Sequence, residues 1–509
     1  MKMFYTRIAF TASVVRVALL ALLLAGVLAA CGEPASTTGP VTITYTFPTF
    51  GIVKNVQAVQ DAINVLLKQK INATVKLQPI DGAAYDQKTK LAFTAGQPCD
   101  VIFTAPWTNN YNQNVLNGNL LPLNDLLQKN APKTYASLPT VVWKAAEVNG
   151  KIYGVINQQP FTRRVGIRVR KDLADKYHLD LSTINSFQDL APFLQQIKQG
   201  EPGVTPLGLQ DATGNGAGYL YYSPLLGLDI VDGVSTDQGI LAIRANDPSR
   251  KVLNVATLPD FKQIIDLTRQ WHQAGYYPKD PLPPADYNAA WRAGKFAVEI
   301  AVVNPDSAAQ LKNRFGYDFV TKAFGTPILT TAGTIATMNG ICRTSAHPDV
   351  AMKFLELLNT DKQVYRLLTH GIEGKDYVVV DKDHDVIGFP PGKDATTVGW
   401  NPDTPWMFGN LFNSYYTDKA IVGAWDQMRQ INASATASTA LGFSFTPDKV
   451  KTQIAQILSV EKQYGDPILK GLVDPNTALP QYLQKLKEAG IDDVIAELQT
   501  QMDAWAKNK

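Results

Sequence analysis

Val41-Thr-Ile-Thr-Tyr-Thr-Phe47, Ala73-Thr-Val-Lys-Leu77 and Asp100-Val-Ile-Phe-Thr104 are three short β-rich runs set between two helical patterns. The first run alternates as a half-buried strand does. In 56–70 the apolar residues Val56, Val59, Ile63, Leu66 and Leu67 fall at helical spacing, and 85–94 supplies a second helix. Strand and helix alternating at this length build a parallel or mixed α/β sheet.

Working outward, Asn149-Gly-Lys-Ile-Tyr-Gly-Val155 reads as a turn into a strand, because Asn-Gly favours left-handed backbone. Strands are expected at 166–170, 317–320 and 334–341, and helices at 190–198 and 260–274. A helix should follow His347, with Pro348 in its first turn where a missing N–H costs nothing. Late helices are expected over 447–464 and 483–506. A second α/β region starts near Gln158.

Upstream of Val41 the pattern changes. Lys2, Arg7 and Arg16 precede an apolar run from Val17 to Leu28 and then small residues, the order of a secretory signal. That run falls short of the ~20 apolar residues a membrane-spanning helix needs. The signal ends Leu28-Ala-Ala-Cys31-Gly32, a bacterial lipobox pattern, which predicts acylation of Cys31 and an extracytoplasmic, membrane-anchored protein with a signal peptide over 1–30. Residues 31–40, rich in Pro, Ser, Thr and Gly, have the composition of a flexible tether.

Of 509 residues, 48 are Lys or Arg and 45 are Asp or Glu. Removing the signal takes three basic residues and no acid, so the remainder is neutral and offers no basic surplus for nucleic acid. Cys99 and Cys342 could pair in an oxidising compartment or stand as two buried thiols. The histidines at 178, 272, 347, 370 and 384 show no zinc spacing, and there is no P-loop or Gly-x-Ser-x-Gly elbow. No metal or cofactor is expected. Asp381-Lys-Asp-His-Asp385 starts like a calcium loop but lacks the glycine and glutamate that complete one, so a hairpin turn is the reading.

The order of lipobox, β-α-β-α-β opening, Gly96-Gln-Pro-Cys-Asp-Val-Ile-Phe103, Asn149-Gly-Lys-Ile-Tyr-Gly154 and Thr344-Ser-Ala-His-Pro-Asp-Val-Ala-Met-Lys-Phe-Leu355 resembles family 1 extracellular solute-binding proteins, the maltose-binding-protein-like group. Leu367-Leu-Thr-His-Gly-Ile-Glu-Gly-Lys-Asp-Tyr377 and Leu486-Lys-Glu-Ala-Gly-Ile-Asp492 are similar to the LipO-type lipoproteins of oligosaccharide uptake. The resemblance implies a periplasmic-binding-protein-like α/β fold. Two lobes, 41–158 with 322–400 and 159–321 with 401–509, would be joined by a multi-strand hinge around a ligand cleft. It also implies a monomer that captures a sugar, neutral or uronate-containing, and delivers it to the permease subunits of an ABC importer.

A sugar site needs aromatic platforms beside hydrogen-bonding groups. Pro106-Trp107-Thr108-Asn109-Asn110-Tyr111 follows a strand end, where ligands of α/β sheets gather. Trp107, Asn109 and Tyr111 are therefore candidates, with Trp400 and Trp406 from a Pro-rich loop, and Phe50 and Tyr222 from opposite sides. Arg164 could hold a uronate carboxylate. A secreted polysaccharide-active enzyme, hydrolase or lyase, is the alternative. Its acids, such as Asp286 and Glu299, cannot be told apart from structural carboxylates by spacing. A repeat-built adhesin is disfavoured because no repeat is visible.

Overall fold

The computed structural model describes residues 39–162, 164–210, 226–231 and 239–507. The signal, Cys31 and most of the expected tether, together with Tyr222 and Arg163, lie outside them. The elements used below are β1 (Val41–Thr49), α1 (Val56–Ile71), β2 (Ala73–Asp81), α2 (Gly82–Thr94), β3 (Val101–Thr104), β4 (Gly154–Ile156), β5 (Val165–Arg170), β6 (Thr205–Leu207) and α3 (Pro259–Gln273). They continue as β7 (Phe296–Val302), α4 (Ser307–Phe315), β8 (Phe319–Ala323), β9 (Met338–Ile341), α5 (Pro348–Thr360), α6 (Lys362–His370), α7 (Ala424–Ser434), α8 (Lys451–Val460), α9 (Pro475–Glu488) and α10 (Ile491–Lys507).

Two main sheets result. One has the order β2-β1-β3-β9-β4, with β1 parallel to β3 and β9 antiparallel to both neighbours. The other has the order β8-β5-β7-β6, with β5 antiparallel to β7 and β8. The α/β class is thus as the sequence predicts.

Local chemistry sets the element ends. Asn72, at φ 48°, closes α1 in left-handed backbone. Asp81 caps α2 by accepting from the Ala83 amide. Asp361 caps α6 through the Gln363 and Val364 amides and also meets Lys70 at 2.8 Å, which pins α6 to α1. Asn149 and Gly150, at φ 52° and 75°, turn a hairpin between Glu147–Val148 and Lys151–Ile152.

The first sheet buries Ile43, Tyr45 and Phe47 against Phe354 of α5 and Phe408. Each such side chain contributes about 1.5–3 kcal/mol on burial. The second sheet buries Val165, Ile167, Val169 and Ile300, and its core continues into Ile454, Leu486, Leu498 and Met502 of the late helices.

Two expectations shift. The predicted strand 334–341 starts only at Met338, because Thr330 caps a one-turn helix over Thr331–Thr334. The single late helix over 483–506 is broken at Gly490, φ 84°, into α9 and α10. Lys322 and Ala323 still pair with Ile167 and Gly166, so the second sheet runs to Ala323 before the chain turns back to β9. Cys99 and Cys342 form a disulfide, with Cα atoms 5.7 Å apart, that joins the chain entering β3 to the chain leaving β9.

Candidate functional site

Phe50 and Trp107 leave the carboxyl ends of the parallel strands β1 and β3. Phe50 is 53% exposed and Trp107 45%, unusual for rings of this size. Their ring centroids are 6.5 Å apart, and Trp107 lies 6.0 Å from half-buried Trp406. Three of the predicted aromatics therefore form one continuous strip. The indole N–H of Trp107 donates to the Ala336 carbonyl at 2.7 Å, which fixes the ring plane. Phe50 lies over Gly82, where a β-carbon would come within 2.1 Å of its ring. The Phe50 amide donates to Pro402 O at 3.2 Å, so the Phe50 end and the middle ring of the strip are both anchored.

The other predicted contacts behave differently. Asn109, at φ 42°, is a buried staple: its side chain donates to Phe103 O and accepts from Asn114, while its amide donates to Asp86. Tyr111 is fully buried; its hydroxyl donates to Ala146 O at 2.5 Å and accepts from the Tyr153 amide at 3.1 Å. Trp400, 1% exposed, donates to Leu368 O at 2.9 Å. These three cannot meet a ligand without unfolding their surroundings. Tyr222 lies outside the described residues.

Arg164 stands at the start of β5, half-buried, and among the described residues its guanidinium makes no hydrogen bond or ion pair. Burial lowers its pKa, because the charged form loses water. Nearby, Arg168 pairs with Glu299 at 2.9 Å and also donates to Val302 O, and the Tyr287 hydroxyl donates to Glu299 at 3.0 Å. Glu299 is thus a structural ion-pair partner, while Asp286 is an exposed residue. Asp306 is 3% exposed and holds Gln310 with one oxygen, leaving the other unpartnered; burial raises its carboxyl to about 6.

The chain leaves the first sheet after β4 and returns to it before β9, and both stretches are stitched to residues 406–411 by amides that sequence reasoning did not single out. Asn157 donates to Met407 O at 2.7 Å and accepts from Gly409 N at 3.0 Å and from Asn339 at 2.9 Å. Gln158 pairs through its backbone with Gly409 and Leu411. Asn432 of α7 accepts from Phe161 N and donates to Gln159 O. The run Asn157-Gln-Gln159 was the available signal: three amides in a row suit backbone groups that lack a sheet neighbour.

Asp381–Asp385 turns a hairpin between Val378–Asp381 and Val386–Gly388. Its two outer carboxylates are taken by side chains of this chain: Asp385 by Arg366 at 2.6 Å, and Asp381 by His384 and Lys419, each at 3.2 Å. These partners hold both carboxyls below the usual range.

Residues 54–365 match the pattern of the bacterial extracellular solute-binding proteins. The chain belongs to this family. It is accordingly a binding protein and not an enzyme. The carboxyl-terminal part, 439–507, matches a domain of unknown function (DUF3502). A carbohydrate ABC transporter substrate-binding protein of Streptococcus pneumoniae serotype 4 is 27% identical over 453 residues, covering 88% of this chain and 87% of that protein. The crystal structure of an N-glycan transport solute-binding protein, NgtS, from Streptococcus pneumoniae has a TM-score of 0.80 at 25% identity, covering 92% of this chain and 99% of that one. The same protein with Man5GlcNAc gives 0.73 at 25% identity over the same shares of the two chains. The Streptococcus pneumoniae substrate-binding protein FusA in complex with kestose, 15% identical, with a TM-score of 0.60 and covering 92% of this chain and 100% of that one, shares the fold.

Proposed function

We propose that this solute-binding protein captures an oligosaccharide on the strip Phe50–Trp107–Trp406 and delivers it to the permease of an ABC importer, held at the cell surface by a lipid on Cys31. The carrying observation is the strip itself. Two exposed rings at the ends of parallel strands, with half-buried Trp406 6.0 Å from Trp107, suit the apolar faces of successive sugar rings. The names of the carbohydrate-binding relatives support the ligand class, and the lipobox supports the anchor.

Two lobes, split near residues 158, 322 and 400, close on the ligand by a hinge motion at those crossings. Contact with both sides stabilises the closed state. The complexes of the N-glycan-binding relative favour a neutral, mannose-containing glycan. Arg164, without a partner among the described residues, favours a second reading, a uronate-bearing one, because a half-buried guanidinium suits a carboxylate.

A thermal-shift screen of neutral and acidic oligosaccharides, with product analysis of every hit, tests this. A ligand at 100 times its Kd adds about 2.7 kcal/mol. A shift with intact neutral glycan is expected. Cleaved sugar, or no shift with any carbohydrate, overturns the proposal.

A further inference from the structure

A groove of about 600 Å³ lies on the far edge of the first sheet, between α1 and β2, lined by Thr42, Lys54, Gln57, Gln60, Asn64 and Lys76 among others. None of the residues that bound it is an acid. Its amides are already engaged. Asn64 accepts from Val75 N at 2.7 Å and donates to Val75 O at 3.1 Å; Gln60 accepts from Leu77 N at 2.9 Å. They cover the open backbone edge of β2 and so close it to another strand. Thr42 and Thr74 bond each other at 2.8 Å, and Gln57 holds the nearest helix acid, Asp61, at 2.7 Å. What the groove leaves unspent is charge: among the described residues Lys54 and Lys76 have no side-chain partner.

The groove also has a place in the chain. Thr42, one of its lining residues, is eleven positions after Cys31. Eleven residues reach at most roughly 40 Å even at full extension, so a body anchored through Cys31 carries this groove within that reach of the membrane surface. We propose that the groove receives the phosphate of an anionic lipid headgroup and thereby orients the tethered body on the membrane. This rests on the lipid-anchor reading above. Free phosphate offers the same chemistry, but the connection through Thr42 assigns the lipid.

Residues 42–509 form one compact unit, so the chain from residue 31 with Cys31→Ser can be tested without its own lipid, and the result does not depend on whether Cys31 is acylated. Co-sedimentation is measured with vesicles of phosphatidylglycerol and phosphatidylcholine, and with phosphatidylcholine alone. Binding to the anionic vesicles only is expected, with roughly tenfold weaker partition for Lys54→Glu/Lys76→Glu, since each lysine near an anionic surface adds a similar electrostatic increment. Lys462→Glu/Lys487→Glu, of equal charge change on another face, should leave partition within about twofold. Equal loss in both double variants, or equal binding to both vesicle types, overturns the proposal. A thermal shift with inorganic phosphate but no vesicle preference also overturns it, in favour of a soluble anion. Lipidation itself is read separately, from the mass of the protein recovered from its host.

Discussion

The rims of the two sheets carry different chemistry. At the first, β1 and β3 end in exposed rings held at fixed spacing, Phe50 and Trp107, with Trp406 completing the strip. At the second, around β5 and β7, the side chains are charged and withdrawn: Arg168 with Glu299, Asp306 with one bare oxygen, and Arg164 without a partner among the described residues. Stacking needs area and a fixed plane, so it suits a rigid parallel-sheet edge. Selecting by hydrogen bond needs polar groups kept short of partners, and that costs stability until a ligand arrives. One rim would therefore supply affinity, and the other discrimination.

The largest expected effect breaks the rigid side. Cys99→Ser/Cys342→Ser removes the link between the β3 and β9 ends, and unfolding should become easier by about 2–5 kcal/mol in denaturant titration. Loss of less than ~1 kcal/mol would mean that the hydrogen bonds of β9 hold this end unaided. Next, Trp107→Ala should cost about 2 kcal/mol of binding, roughly thirtyfold in Kd by calorimetry, as for a central aromatic anchor. An unchanged Kd would remove the strip from the site.

Two buried titratable groups, His370 and Asp306, should also answer pH in opposite senses. His370, at the end of α6 and hydrogen-bonded to Ser414 at 2.7 Å, has its pKa lowered to about 3, by burial first and then by the Arg366 charge. The unfolded chain takes up a proton near pH 6.5, so this contribution to stability is lost as pH falls from there towards 3. Asp306 is raised to about 6, so its folded form holds a proton that the unfolded chain releases near pH 4; stability falls as pH rises from 4 to 6. His370→Gln should remove about 1–2 kcal/mol of acid sensitivity between pH 6.5 and 5, and Asp306→Asn should add about 1 kcal/mol at pH 7.5. Denaturant melts at pH 5 and 7.5 check both; parallel responses of the two variants would erase the contrast. Smallest, Arg164→Gln should weaken only acidic sugars, by about tenfold, and leave neutral ones unchanged in the same calorimetry.

Much of this was legible from residue patterns. The opening β-α-β-α-β, the Asn149-Gly turn, the start of α5 at Pro348 and the Asp381–Asp385 hairpin follow from local propensity, which a short window of sequence carries. Of the aromatic candidates, Phe50, Trp107 and Trp406 come together in the structure. Tyr111 and Trp400 belong to the same residue types in equally inviting loops, yet both are core. An amphipathic ring serves a ligand or a core equally well, and which it does depends on what stands across from it. Asn109 was chosen for its hydrogen-bonding side chain, but its left-handed backbone spends that side chain on the loop itself.

The amino-acid sequence alone therefore determined the α/β class, the order of its elements and the kinds of side chain a sugar site would draw on, because those depend on neighbours a few residues away. Only the tertiary structure decided which rings face water, which carboxylates are already paired, and that Asn157, Asn339 and Met407, up to 250 residues apart, stitch the connecting segments together. Those outcomes depend on burial and partnership between distant segments, and no local spacing encodes them.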